Sequence, residues 1–449
     1  MDKVGDHALV VGASMAGLLA ARVVSDAYER VTVVERDALP SVGENRKGVP
    51  QGRHIHGLLP RAEEIFDELF PGLTHRLTEA GARMIDLFGE ARFSPSGHLL
   101  ARVPTGLQVL SASRPFLEGH VRERVRVLAN VALVERCDVV GLTTTGDRRR
   151  VTGVRILRRT DGSAEEMLAA DLVVDASGQA GRTPAWLEAL GYPRPVVDKV
   201  RIRVGYASRR LRLPPAALGG DKGIIVGAEP GRPRGMALSA IEGDQWLLSL
   251  FGYEGHHPPS DPAGFLGFAA TVAPPDVLQA IRNAEPLDRI VTHRLDSNLR
   301  RRYERLRRFP DGLLVMGDAM CSFNPIYGQG MTVAALEAMA LRRCLESGDH
   351  HLARRYFPAA AKAVDHAWKM ATGADLALPV VEGPRPLEVR LVNAYMRRLM
   401  AVAAHDPLVA TAFTRVAGML DPPQSLLRPA VVLRVLSGRL RRAGRADWR

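Results

Sequence analysis

Cysteine is nearly absent: the 449 residues hold three, Cys137, Cys321 and Cys344. They form no Cys-x-x-Cys pair and no even framework, which excludes a disulfide scaffold and a zinc knuckle and fits a reducing compartment. Aromatic residues make up only 5%. The densest basic runs, RRLRL (209–213) and LRRRYERLRR (299–308), do not alternate aromatics with their cations as a base-stacking surface would. The formal net charge of +12 therefore reads as scattered, solvated arginine faces, and no nucleic-acid partner is expected. No run approaches the ~18 apolar residues of a membrane span. The N-terminus, MDKVGDHALVVGAS, lacks the basic, apolar and cleavage regions of a signal peptide. These absences point to a cytoplasmic protein without a transmembrane segment. Internal repeats and low-complexity segments are missing as well.

What remains is ordinary globular composition, 46% hydrophobic and 24% charged, over a length that calls for two or three domains. The stretch HALVVGASMAGLLAARVVSDAYERVTVVERD reads as strand, tight turn, helix, strand. Ala8 to Val11 is continuously apolar, as a buried parallel strand should be. The turn is Gly12-Ala13-Ser14-Met15-Ala16-Gly17. Gly12 permits the tight bend, and Gly17 lets the helix lie close to the sheet. Ser14 stands where the dinucleotide fingerprint prefers glycine, a small side chain that leaves slightly less room. Amides at the helix start then face a pyrophosphate, aided by the helix dipole. The second strand, Val31 to Val34, ends in Glu35, near the ~20-residue spacing at which an acid takes ribose hydroxyls.

This fingerprint alone does not separate NAD from FAD; the residues after it do. A nicotinamide dehydrogenase would continue with alternating strands and helices. Here SVGENRKGVPQGRHIHGLLPRAEEIFDELFPGL opens a long polar loop with a basic cluster, and long ordered loops are usually functional. Arg46 and Arg53 can neutralise a pyrophosphate; Gln51, His54 and His56 can line a ring. The His-x-His pair has no third ligand nearby, so no metal site is expected.

Two further motifs complete the pattern: DLVVDASGQAGRTPAWL (171–187), and GDAMCSFNPIYGQGMT (317–332) with the apolar LLVM before it. After the second, Val333, Leu336, Ala340 and Cys344 recur at helical spacing. Together with Glu35-Arg36, these motifs resemble the FAD-dependent group A flavoprotein monooxygenases, the aromatic hydroxylase and epoxidase superfamily. The loop RKGVPQGRHIHGLL and the ending GDAMCSFNPIYGQGMT are most similar to those of actinobacterial polyether and polyene epoxidases. The resemblance implies FAD as cofactor and NAD(P)H as a transient reductant. It implies that Gly317-Asp318 is the family's Gly-Asp pair, with Asp318 on the ribityl chain. The loop from Pro325 through Gly328 to Gly330 and Met331 would face the flavin pyrimidine edge. Arg114 would reach the phosphate and ribityl region, Val139 would meet the adenine through its backbone, and Gly178 belongs to the short Asp-Gly motif.

The resemblance further implies an α/β fold: a Rossmann-like FAD-binding domain over 1–190 and 290–345, a substrate domain over 191–289 and a C-terminal helical region over 346–449. The residues agree. Short β-rich runs over roughly 192 to 255 read as an inserted antiparallel sheet, and the sequence from 346 onward reads as helical with a frayed basic tail, RLRRAGRADWR. Met236, Leu238, Trp246, Leu248 and Phe251 are apolar candidates for the pocket wall. The implied activity is a monooxygenase, epoxidase or hydroxylase, that uses O2 through a flavin hydroperoxide on an apolar natural-product substrate. No side chain stands out as a general acid or base. A second dinucleotide fingerprint is lacking, and Trp186, Trp246 and Trp368 lie outside the Trp-x-Trp-x-Ile-Pro signature of halogenases. The competing reading is an FAD-linked reductase of the prenyl-reductase kind. The oligomeric state is left open.

Overall fold

The computed structural model describes residues 3–438. The tail RLRRAGRADWR, expected to fray, lies outside these residues. Five parallel strands form the first sheet, in the order Leu313–Val315, Leu172–Asp175, Gly5–Val11, Tyr28–Val34, Val131–Val134. The two N-terminal strands begin three residues earlier than the apolar runs suggested, because His7 and Arg30 still pair across the ladder. Ala8, Leu9 and Val10 are fully buried, as continuous apolar strands in a parallel sheet must be when both faces are covered. The helices Met15–Ala27, Arg114–Arg126 and Gly330–Leu345 pack together beside this sheet. A three-stranded antiparallel sheet, Cys137–Thr144, Val151–Arg158 and Glu165–Ala169, packs against Leu172–Asp175.

The second large sheet is built around the long strands Val196–Arg212 and Val291–Arg302, which pair antiparallel along most of their length. Trp246–Gly252, Arg234–Ala240 and Gly223–Val226 extend it, and Ala91–Ser94 closes its far edge in parallel. Cys321–Ser322 pairs with the near edge, so the sheet draws on chain both before and after 191–289. Val291–Arg302, expected to have returned to the first domain, belongs to this sheet by its hydrogen bonds. Its charged sequence hides the strand: Arg300, Arg301 and Arg302 run consecutively, with Arg300 buried in ion pairs to Asp365 and Glu304 and Arg302 paired with Asp198.

Side-chain alternation corrects the expected pocket wall. Met236 and Leu248 point to the face packed on helices Pro262–Ala270 and Pro275–Arg282, and Trp246 packs against the same cluster. Phe251, Ala237, Ser239 and Ile225 turn the other way into the cleft, and Leu238 reaches both. A period of two decides this, and hydrophobicity alone cannot.

After residue 346 the described chain is helical: Leu352–Leu376, Leu387–Ala403, Pro407–Ala417 and Pro429–Ser437. Among the described residues no helix is long and apolar enough to cross a membrane.

Candidate functional site

One cleft of about 2240 Å³ runs between the two sheets and under the C-terminal helices. That is more than twice the ~1,000 Å³ of a large ligand pocket, room for a dinucleotide and a second molecule. At its first end lies the turn after Gly5–Val11. Gly12 adopts φ +99°, and a Cβ on Gly17 would stand 1.8 Å from the Gly12 carbonyl oxygen, so the helix must cross the turn at a glycine. Gly17 itself does not line the cleft; its part is this close approach. Gly12, Ser14, Met15 and Ala16 do line it.

The helix Met15–Ala27 has no side-chain cap: the Ser14 hydroxyl donates to Glu118 (2.8 Å), and its oxygen accepts from Arg114 (2.9 Å). Its first-turn amides are left open for an anion in the cleft. Glu35 ends the second strand, accepting from the Ala13 amide (2.8 Å) and the Asp37 amide (3.0 Å). Arg36 and Val139 line the same region, with Cys137 and Asp138 beside them.

Arg46 reaches the cleft but is held by carboxylates: Glu118 at 2.9 Å, Glu35 at 3.0 Å and Asp37 at 3.5 Å. Burial alone would lower its pKa; these three anions raise it above the ordinary value. Only its Nη2 has no partner among the described residues. Arg114 donates to Ser14 (2.9 Å) and Glu118 (3.1 Å). Both guanidiniums are thus largely neutralised, which leaves the open amides as the main anion-binding groups. Arg53 is exposed and away from the cleft, so the expected pyrophosphate role does not fall to it.

The polar loop divides its residues. Gln51 and His56 line the cleft, whereas His54 is buried behind it, bonded through Nδ1 to Ser208 (2.7 Å). Ser208 pairs with Ser249 (2.6 Å), whose oxygen accepts the Ile55 amide at 3.0 Å. His54 therefore pins the loop to the second sheet. Burial lowers its pKa to about 3 and that of His56 to about 4, so both rings are neutral at pH 7.

The far half of the cleft comes from residues 317–331. Gly317 turns the chain at φ +67° and donates its amide to the buried Glu337 at 2.6 Å. The adjacent Asp318 is exposed to the cleft, and its side chain has no hydrogen-bond partner among the described residues. Burial raises its pKa, and Arg114 offsets this in part. A carboxyl aimed into a cleft without donors is what a polyhydroxy chain would satisfy. Pro325, Gly328, Gly330 and Met331 follow along the wall, and Gly178 faces them from the loop after Leu172–Asp175. The helix Gly330–Leu345 likewise starts without a side-chain cap or an acid in its first turn. The polar groups fit FAD: donor amides at two open helix starts, with the acceptors Glu35 at one end and Asp318 at the centre.

Sequence reasoning missed Asp375, at the end of helix Leu352–Leu376. Its buried carboxylate accepts from Tyr327 (2.7 Å), Asn298 (2.7 Å), Tyr253 (2.9 Å) and Asn324 (3.0 Å). Burial raises its pKa while the four donors pull it down. Tyr206 adds a hydrogen bond to Asn324. The only available signal was an acid in the small-residue run TGADLALP. The apolar half of the cleft was also hidden, since Phe93, Met396, Met400 and Phe413 come from elements far apart in sequence.

No family model matches the chain. It is 37% identical over 454 residues to protein Rv3254 of Mycobacterium tuberculosis, covering 97% of this chain and 94% of that one. It is 25% identical over 364 residues to kynurenine 3-monooxygenase of Salinispora arenicola, covering 77% and 73%. Solved flavin-dependent monooxygenases and halogenases share the fold. Among them, p-nitrophenol 4-monooxygenase PnpA of Pseudomonas putida DLL-E4 superposes with a TM-score of 0.66 at 15% identity, over 94% of this chain and 100% of that one. The chain belongs to the family of Rv3254, and its fold is that of the flavin-dependent monooxygenases.

Proposed function

We propose that the protein is an FAD-dependent monooxygenase that uses NAD(P)H and O2 to oxygenate an apolar small molecule, by epoxidation or hydroxylation. The observation that carries this reading is the continuity of the cleft. Glu35, two open helix starts and the unpartnered Asp318 share one space with an apolar chamber. Kynurenine 3-monooxygenase and PnpA, named for monooxygenation, support the reaction class.

Bound in this cleft, FAD would supply the redox chemistry with O2, with NAD(P)H as the reductant. The chain's own residues hold and shield it. Glu35 accepts ribose hydroxyls, the amides from Ser14 to Gly17 take the pyrophosphate, and Asp318 accepts from the ribityl chain. The Gly330 helix start would present amides and a positive dipole end able to stabilise negative charge on a bound flavin. Neutral His56 adds no charge. Tyr253 and Tyr327 line the cleft with hydroxyls already donated to Asp375; the Tyr253 oxygen also accepts from Asn324 (2.8 Å), so the Tyr327 oxygen is the one left to accept from substrate. Burial and Asp375 push both phenols well above their ordinary pKa, so neither ionises near neutral pH. Phe93, Phe251, Leu376, Met400 and Phe413 line the apolar part and keep water from it.

The test is single turnover: anaerobically reduced enzyme, mixed with 18O2 and candidate polyene or aromatic substrates. Incorporation of one labelled oxygen per substrate is expected. Substrate reduction without label would instead select the reductase reading.

A further inference from the structure

Exposed leucine is confined to the C-terminal helices and the turn between them. Every exposed leucine among the described residues lies between 387 and 436: Leu387, Leu391, Leu408, Leu427, Leu433 and Leu436. Val392 adds to them, and the remaining exposed large apolar residues are scattered valines and one methionine. Isolated apolar residues on a surface need no explanation, but a confined group of leucines on three helices and a turn does. Leu391 is 61% exposed and Leu433 66%, values that leave most of each side chain in water.

The charge of this region has one dominant sign. Residues 385–438 carry seven arginines against three acids, and residues 439–449 continue with five arginines and one aspartate. Arg390, Arg397 and Arg428 are exposed and make no ion pair among the described residues. Leucines and unpaired arginines on one helical layer are the pattern of an interfacial surface, apolar groups for the acyl boundary and cations for anionic headgroups. A second copy of this chain fits less well. A twofold interface would set the same arginines against each other.

The position of this surface adds a role. Leu387, Leu391, Val392 and Leu427 are exposed and also line the cleft, as do Arg390 and Arg397. The mouth of the apolar chamber is therefore cut through the leucine-rich layer itself.

We propose that the helices Leu387–Ala403 and Pro429–Ser437, with the turn between 423 and 428, dock on an anionic phospholipid bilayer. An apolar substrate dissolved in that bilayer then enters the cleft between Leu391 and Leu427 without crossing water. The docking stands independently of the oxidation chemistry; only the delivery rests on the proposed monooxygenase reading.

The test is co-sedimentation of the full-length holoprotein with vesicles of phosphatidylcholine containing phosphatidylglycerol, and with pure phosphatidylcholine. Binding to the anionic vesicles is expected to be about tenfold or more tighter, and to weaken at high salt. Leu433→Asp with Leu436→Asp, two positions outside the cleft wall, should lower that binding about tenfold or more while flavin content stays at wild-type level. If this variant does not fold, Leu433→Ser with Leu436→Ser is measured in its place. A wild-type protein that stays in the supernatant with both vesicles overturns the proposal. So does a variant that binds as well as wild type, or a wild-type dimer in solution that the variant splits. Turnover on a water-soluble substrate is read separately, so its failure counts against the oxygenase reading alone.

Discussion

The Tyr327 hydroxyl donates a 2.7 Å hydrogen bond to the buried carboxylate of Asp375, which lies 48 residues further along the chain. Tyr327 stands in the loop that leads to the Gly330 helix, and Asp375 ends the long helix of the C-terminal region. The same carboxylate takes Tyr253 and Asn298 from the second sheet. One acid thus ties the loop, the sheet and the C-terminal helices around the cleft.

Asp375→Ala strands three buried donors, Asn298, Asn324 and Tyr253, besides the half-buried Tyr327, each buried one costing about 1–3 kcal/mol when left unsatisfied. A loss of several kcal/mol in unfolding free energy is expected, with a clearly lower melting temperature. Asp375→Asn keeps the shape and one strong acceptor, and should lose less. Chemical denaturation of both variants checks this; equal stability of Asp375→Ala and wild type would remove the network from the account.

Asp318→Ala removes the one open carboxyl at the centre of the cleft. A hydrogen bond to a charged group is worth about 1.5–3 kcal/mol, so FAD should bind about 10- to 100-fold more weakly. Asp318 touches little else, so the melting temperature of the flavin-free protein should stay near wild type. Flavin absorbance per chain after gel filtration reads the first effect, and calorimetry of apoprotein the second. Unchanged flavin retention would place the ribityl contact elsewhere.

Gly17→Ala puts a methyl 1.8 Å from the Gly12 carbonyl oxygen, a backbone atom that cannot turn aside. The helix must lift from the sheet. Overpacking of this kind costs about 1–3 kcal/mol, and the open amides shift with it. Weakened FAD binding and lower stability should therefore appear together, in contrast to the Asp318 variant.

Glu337 is buried under Gly317, and burial pushes its carboxyl up to about 8 from 4.5. Asp318 adds to this, while the Gly317 amide and Arg300 oppose it. Between those values the folded protein holds a proton that the unfolded chain releases. Its contribution is full at low pH and fades as pH rises toward 8, at up to about 1.4 kcal/mol per pH unit. Glu337→Gln keeps an acceptor for Gly317 and should flatten this slope in denaturant titrations across that range. A slope identical to wild type would show that the carboxyl is ionised in the fold.

Much of the first half of the site was legible in the sequence because it is local. Gly12, Gly17 and Glu35 follow from a strand, a turn and a helix whose geometry is set within about 25 residues. Asp318 was legible for the same reason, as a Gly-Asp pair between a short buried strand and a helix start. The second sheet was recognised as β-rich, but its faces were not. Met236 and Trp246 are as apolar as Phe251, and only register against neighbouring strands sends one side to the helices and the other to the cleft. Val291–Arg302 was misplaced because its run of charged residues, the buried Arg300 among them, masks a strand.

The amino-acid order by itself determined the dinucleotide turn, the acid that follows it and the Gly-Asp return to the same sheet. These depend on contacts between near neighbours and on glycine's freedom at a few bends. Tertiary structure alone decided that Arg46 is held by Glu35, Glu118 and Asp37, that His54 faces away from the cleft, and that Asp375 closes it. Each of these pairs residues from separate elements, and a buried charge takes whichever partner the packing of those elements brings within reach.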